Sequence, residues 1–216
     1  MSAHDEKSAS LAKLIRPLRT AAYEVDSMWR DFDAWINNLA RDYGGLDLNP
    51  DFQRGHVWTS QQQQHFVENT LRGVISSSGF LLQFNCPNWD NDRYAGDLPR
   101  GLQCIDGLQR ITAIQGFLAG TVKPFGLHVG DLENSTFSVR RHMYRFRVAI
   151  HNFERRADLL QHYLDLNAGG TPHSQAEIVR VRELQMAALD SEVSSDPASS
   201  GQRTQKIQGC LPGRER

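Results

Sequence analysis

Cysteine is scarce in this chain. The three present, Cys86, Cys104 and Cys210, are odd in number and widely spaced. They form neither a disulfide framework nor a Cys-x-x-Cys metal site, and read as incidental thiols of a reduced, cytoplasmic protein. The eight histidines lack metal-ligand spacing. No stretch approaches the roughly 20 apolar residues that span a bilayer. The N-terminal residues lack the apolar core of a secretion signal, so no membrane partner is expected. Net charge is also nearly absent, at −1, so the whole-molecule field says little about partners. There are no internal repeats, and no Ser–His–Asp arrangement follows from spacing.

What is present is ordinary for a globular chain: 216 residues, 39% hydrophobic and 23% charged. That length allows one domain with a real core and two loose ends. Residues 1–21 read as a flexible N-terminal segment and residues 191–216, poor in apolar residues, as a disordered tail. Between them, residues 22–190 read as one small α+β domain.

Within it, Tyr23–Val25 suggests a short strand. Asp26 and Ser27 are good cap residues for an amphipathic helix over 28–41, which Gly44 and Gly45 end. Leu46–Leu48 reads as a strand, and a helix over 60–72 starts from Thr59 or Ser60. Strands are expected at Phe80–Phe84 and Leu102–Ile105, with a long loop over 85–100 between them. Residues 107–118 follow as a helix. Residues 143–151 alternate, placing Tyr144, Phe146, Val148 and Ile150 on one side and Arg145, Arg147 and His151 on the other. A helix over 155–166 stops at Gly169 and Gly170, and Ser174 with Glu177 forms a capping box for a last helix.

Charge is uneven where it matters. From Arg140 to Arg156 six arginines stand against one acid, Glu154, a local excess of +5. Arg140, Arg141, Arg145 and Arg147 are the candidate nucleic-acid contacts; a solvated strand face is the other reading.

The chemistry-bearing segment is Ile105-Asp106-Gly107-Leu108-Gln109-Arg110, where a strand runs into a helix. Gly107 lets the backbone approach an anion. The first helical N–H groups lack partners and carry the positive end of the dipole. Arg110 adds a planar charged fork, Gln109 a polar amide, and Asp106 a carboxylate for magnesium or water. A purely structural reading makes Asp106 a cap and Arg110 its ion-pair partner. A second element, Asn49-Pro50-Asp51-Phe52-Gln53-Arg54-Gly55-His56-Val57-Trp58, lies in a loop. Phe52 and Trp58 look like anchors there, with Gln53 and Arg54 held between them.

Together these elements resemble the N-terminal domain family of GmrSD-type restriction enzymes, within the ParB/sulfiredoxin-like fold. That family carries an N-P-x-F-Q-R-x-x-V-W element, then Asp-Gly-Gln-Gln-Arg, then Asn-x-Gly-Gly-Thr-Pro. Here these stand as Asn49–Trp58, Asp106–Arg110 and Asn167-Ala168-Gly169-Gly170-Thr171-Pro172. The resemblance implies a small sheet with surrounding helices that binds and hydrolyses a nucleoside triphosphate with Mg²⁺, on or near DNA, in restriction, phage defence or phage DNA metabolism. Asp106, Gln109 and Arg110 become the catalytic candidates, with Asp106 at the metal. Gln53, Arg54, Gly107, Gln109, Arg110, Asn167, Gly169 and Gly170 become the nucleotide-binding candidates. A non-catalytic nucleotide-dependent DNA-binding switch and a phosphotransferase are the alternatives. Leu108 replaces the family's first glutamine, which removes a polar group from the turn. Such restriction enzymes also carry a His-Asn-His nuclease domain. This segment is not expected to cut DNA alone; a separate nuclease or other partner protein would supply that step.

Overall fold

A computed structural model describes residues 2–75, 80–141, 144–168 and 175–195. Among them the elements run α1 (Ala3–Ile15), β1 (Tyr23–Met28), α2 (Phe32–Tyr43), β2 (Leu46–Asp47), α3 (Ser60–Leu71), β3 (Leu81–Asn85), β4 (Leu102–Asp106), α4 (Leu108–Leu118), β5 (Arg145–His151), α5 (Arg156–Asn167) and α6 (Gln175–Ser195). The five strands form one mixed sheet in the order β1-β5-β3-β4-β2. The fold class is α+β, as expected. No helix among the described residues is long and apolar enough to cross a membrane.

Strand alternation sets the layers. Phe146, Val148 and Ile150 of β5, with Leu82 and Phe84 of β3, join the apolar sides of α2, α3 and α4 in the larger core. Aromatic rings knit it together. Phe146 receives Phe32 edge-on at 4.9 Å and Trp35 at 5.8 Å, while Phe80 meets Phe66 at 5.4 Å. Such pairs each contribute about 0.5–1.5 kcal/mol beyond simple burial. A smaller core joins Ile105 of β4 and Phe52 to Leu159, Leu160 and Tyr163 of α5 and Val181 of α6.

The sequence placed Asp26 and Ser27 at a helix start; they belong to β1 instead. Asp26 pairs in register with Arg147 and Ser27 with Phe146. The long-range ladder with β5 takes these backbone groups, so a short 3-10 turn over Trp29–Asp31 leads into α2. Thr59 is the cap of α3: its hydroxyl accepts from Gln62 N at 3.2 Å, and Gln62 Oε1 accepts from Thr59 N at 2.9 Å. That reciprocal pair satisfies two donors of the first turn.

Both ends carry helix within the described residues. Ser2 and Asp5 close a capping box on α1, whose described residues stay exposed. Helix α6 continues to Ser195, past the expected start of the tail. The rest of that tail, Cys210 and the Ser174 half of the expected capping box lie outside the described residues.

His151 shares a strand face with Arg145 and Arg147, as the alternation predicts, yet it is buried. Its Nε2 lies 3.2 Å from Gln83 Oε1, and its ring centroid lies 4.6 Å from that of His162 on α5. Burial holds His151 well below the ordinary histidine range, at about 4. Its position under α5 removes it from any solvent-facing basic strip.

Candidate functional site

Strand β4 enters α4 through Gly107, which takes a φ of +118°. A side chain there is excluded twice: the backbone is left-handed, and a Cβ would stand 2.5 Å from Leu82 Cδ2. The first helical bond of α4 runs from Ile111 N to Gly107 O at 2.9 Å. The N–H groups of Leu108, Gln109 and Arg110 therefore have no acceptor further back in the helix, and they mark its positive end. Leu108 points inward and is buried. Its exchange for the family's glutamine suits the core and leaves the turn one amide poorer.

The polar residues of the two motifs bind each other's elements first. Gln53 Nε2 donates to Cys104 O at 2.9 Å and Ile105 O at 2.7 Å. Gln109 Oε1 accepts from Val57 N and Trp58 N, both at 3.0 Å, and its Nε2 donates to Gly55 O at 2.8 Å. One amide thus closes three backbone groups of the loop over the start of α4. Arg110 Nη2 donates to Asp106 Oδ2 at 2.5 Å, and its Nη1 to Leu81 O at 2.6 Å. So the ion pair of the purely structural reading is formed, although the cap position belongs to Gly107 rather than Asp106.

Two further arginines hold the loop, and the sequence reading missed both. Arg180 of α6 donates to the carbonyls of Asp51, Phe52 and Gln53. Arg156 donates to both carboxylate oxygens of Asp51, at 2.6 and 2.8 Å. Phe52 is fully buried and meets the Tyr163 ring edge-on at 5.1 Å. Nothing local marks Arg180 or Arg156, because their targets lie over a hundred residues away in sequence.

Arg54 is different. It is half-buried and lines a small polar pocket with Gln53, the Asp106–Arg110 turn, Tyr163 and Asn167. Among the described residues its guanidinium has neither a hydrogen-bond nor an ion-pair partner. The pocket holds about 120 Å³, well below the roughly 300–1,000 Å³ of sites that enclose a whole small molecule. Its size and lining suit one anionic group. Asn167 donates to Tyr163 O at 2.7 Å, which keeps it at the end of α5 and on the pocket wall. Gly169 and Gly170 lie outside the described residues.

Acids answer part of the arginine strip. Arg147 Nε donates to Asp26 at 2.9 Å, and that bond holds the Asp26 carboxyl below the usual range. Arg140 lies 3.5 Å from Glu133. Arg141 and Arg145 are exposed. The strip is also nearer the turn than the sequence separation suggests: Leu81, whose carbonyl takes Arg110, is the register partner of Arg147. Among the described residues no three His, Cys, Asp or Glu side chains gather to hold a metal. Burial raises both described thiols, Cys86 to about 11 and Cys104 further, so neither is a nucleophile at neutral pH.

Residues 35–182 match the model of the GmrSD restriction endonuclease N-terminal domain family. The chain belongs to that family. The match spans the 49–58 loop, the Asp106–Arg110 turn and Asn167, the segments that meet at the pocket. Comparison with curated proteins found no match, and comparison with solved structures found none.

Proposed function

We propose that this domain binds a nucleoside triphosphate and hydrolyses it while acting on or near DNA, in phage defence through the restriction setting that its family's description names. The observation that carries the reading is Arg54. A half-buried guanidinium without a protein partner among the described residues shares a pocket of about 120 Å³ with the positive end of α4. Both features favour a phosphate group there.

In this reading the α4 N–H groups and Arg54 take the terminal phosphates from two sides. Catalysis of phosphoryl transfer is mainly positioning and charge stabilisation, and the clamps fix the backbone of the loop and the turn in advance. In this reading Gln53, Gln109 and Arg110 chiefly position the site, because each already bonds the backbone or Asp106. Asp106 is the carboxylate that reaches the pocket. Its donor set fits Mg²⁺ only in the manner of ions held by one carboxylate, phosphate oxygens and water. The ion would neutralise charge on the phosphates when bound. The ParB/sulfiredoxin-like relationship belongs to the same reading.

One observation favours a binding switch without turnover. Asp106 is tied to Arg110, Gln109 makes three bonds to the loop backbone, and Leu108 replaces a glutamine, so the turn has few groups left to orient a water. Phosphate release from magnesium-nucleotide, measured with and without duplex DNA, tests the proposal. Turnover supports the hydrolase; binding without release supports the switch and overturns hydrolysis. The absence of both binding and release overturns the whole reading.

A further inference from the structure

The phosphate pocket is too small for a nucleotide, which raises the question of where the remainder would lie. Beside it, between α5 and α6, runs a second cleft of about 390 Å³, inside the size range of small-molecule sites. Tyr163 and Asn167 line both cavities. They form a saddle between the two.

The saddle is built firmly. Tyr163 is buried against Phe52, and its main-chain carbonyl takes the Asn167 amide. Its phenol feels Arg54 and Asp106 from the phosphate side and Glu177 and Arg180 from α6, with burial pushing it up to about 12. The cleft beyond is amphipathic. Leu164, Ile178 and Met186 offer apolar surface for a flat ring, while Asp165, whose Oδ1 takes Gln161 Nε2 at 2.8 Å, keeps its second carboxylate oxygen at the lining, where a hydroxyl donor would be accepted.

We infer that the cleft between α5 and α6 holds the base and sugar of a nucleoside triphosphate whose terminal phosphates lie across the Tyr163–Asn167 saddle at Arg54 and the start of α4. This rests on the nucleotide reading above and extends it. The small pocket reads the phosphate chain, and the cleft reads the nucleoside.

Calorimetry on the full chain, with each of the four ribonucleoside triphosphates and with inorganic tripolyphosphate, tests this. At least one nucleotide is expected to bind about tenfold or more tighter than tripolyphosphate. Ile178→Trp fills the cleft and is expected to abolish that margin while tripolyphosphate still binds. Met186→Trp, at an exposed position on α6, repeats the test should Ile178→Trp fail to fold. Arg54→Ala is expected to weaken both ligands. Equal affinity for nucleotide and tripolyphosphate, or a margin that survives in a folded filled-cleft variant, overturns the nucleoside site and leaves the phosphate pocket standing. Binding of neither ligand overturns the phosphate pocket itself, and the inference with it.

Discussion

Arg110 and Asp106 face each other across the strand-to-helix turn, 2.5 Å between nitrogen and oxygen, and the same guanidinium reaches the Leu81 carbonyl on the neighbouring strand. One side chain therefore joins β4, β3 and α4. The family's arginine is a brace for the turn that presents the helix end.

The brace has a measurable strength. Arg110→Ala is expected to lower unfolding free energy by about 2 kcal/mol, the scale of lost charge-assisted bonds that leave a carboxylate and a carbonyl without their partner. The pair is partly solvated, which keeps the figure below that of a fully buried ion pair. Urea denaturation gives the number. A loss under about 0.5 kcal/mol, the level of a surface pair, would refute the bracing role.

Gly107→Ala is expected to cost more. It forces a left-handed backbone on a residue with a side chain and drives a Cβ to 2.5 Å from Leu82 Cδ2. Strain of about 1–3 kcal/mol follows from the backbone alone, and the packing clash adds to it. An unchanged thermal midpoint in this variant would contradict the geometry.

Gln109→Leu keeps the bulk but removes three hydrogen bonds, leaving Val57 N, Trp58 N and Gly55 O unserved. A global loss of about 1–3 kcal/mol is expected. Hydrogen exchange is the sharper probe: the Val57 and Trp58 amides should lose protection before the rest of the domain. If those two amides exchange as slowly as in the native chain, the amide is no clamp.

Acid should unfold the domain early. Burial holds neutral His151 at about 4, against an ordinary value near 6.5, and lowers its neighbour His162 as well. The unfolded chain thus binds more protons between those values, so stability falls as pH drops through the window from about 6.5 to 4. His151 alone contributes about 3 kcal/mol to the loss. Urea midpoints at pH 7.5, 6 and 5 should fall in that order, and His151→Gln should flatten the trend. A flat native profile would count against the buried pair.

The arginine strip is partly neutralised from within, and one substitution tests whether it meets DNA. Asp26→Asn removes the acid that holds Arg147. If the strip contacts a phosphate backbone, the slope of log affinity against log salt should steepen by about 0.9. Fluorescence anisotropy of a labelled duplex over a salt series reads this. No binding at low salt, or an unmoved slope, would return Arg145 and Arg147 to the role of surface charges.

Local signals in the chain were readable in advance where the physics is local. Thr59 or Ser60 marked a helix start because a cap is a local feature, and Thr59 proved to be the cap. The strand-to-helix turn at Asp106–Gly107 was visible because glycine there has a backbone reason. The alternation of β5 rightly set Phe146, Val148 and Ile150 in the larger core. What the sequence hid depends on distance. The burial of His151 comes from α5, and the length of β1 comes from a partner strand over a hundred residues away. The targets of Gln53 and Gln109 are backbone atoms some fifty residues off, and no side-chain pattern records so distant a bond to a backbone. For that reason the bonds of Gln109 and Arg110 could not be read in advance; both line the pocket, where Arg54 is a group without a partner among the described residues.

The order β1-β5-β3-β4-β2 has a consequence for how the chain is made. Its last strand lies inside the sheet, bonded to β1 on one side and β3 on the other. Until residue 151 leaves the ribosome, β1 has no mate and β3 presents an open edge. At roughly 5–20 residues per second, the delay between β1 and β5 is on the order of ten seconds. Throughout that interval the apolar side of β3, with Leu82 and Phe84, lacks Val148 and Ile150 beside it. The nascent protein is thus most open to aggregation, and to capture by chaperones, just before its fifth strand arrives.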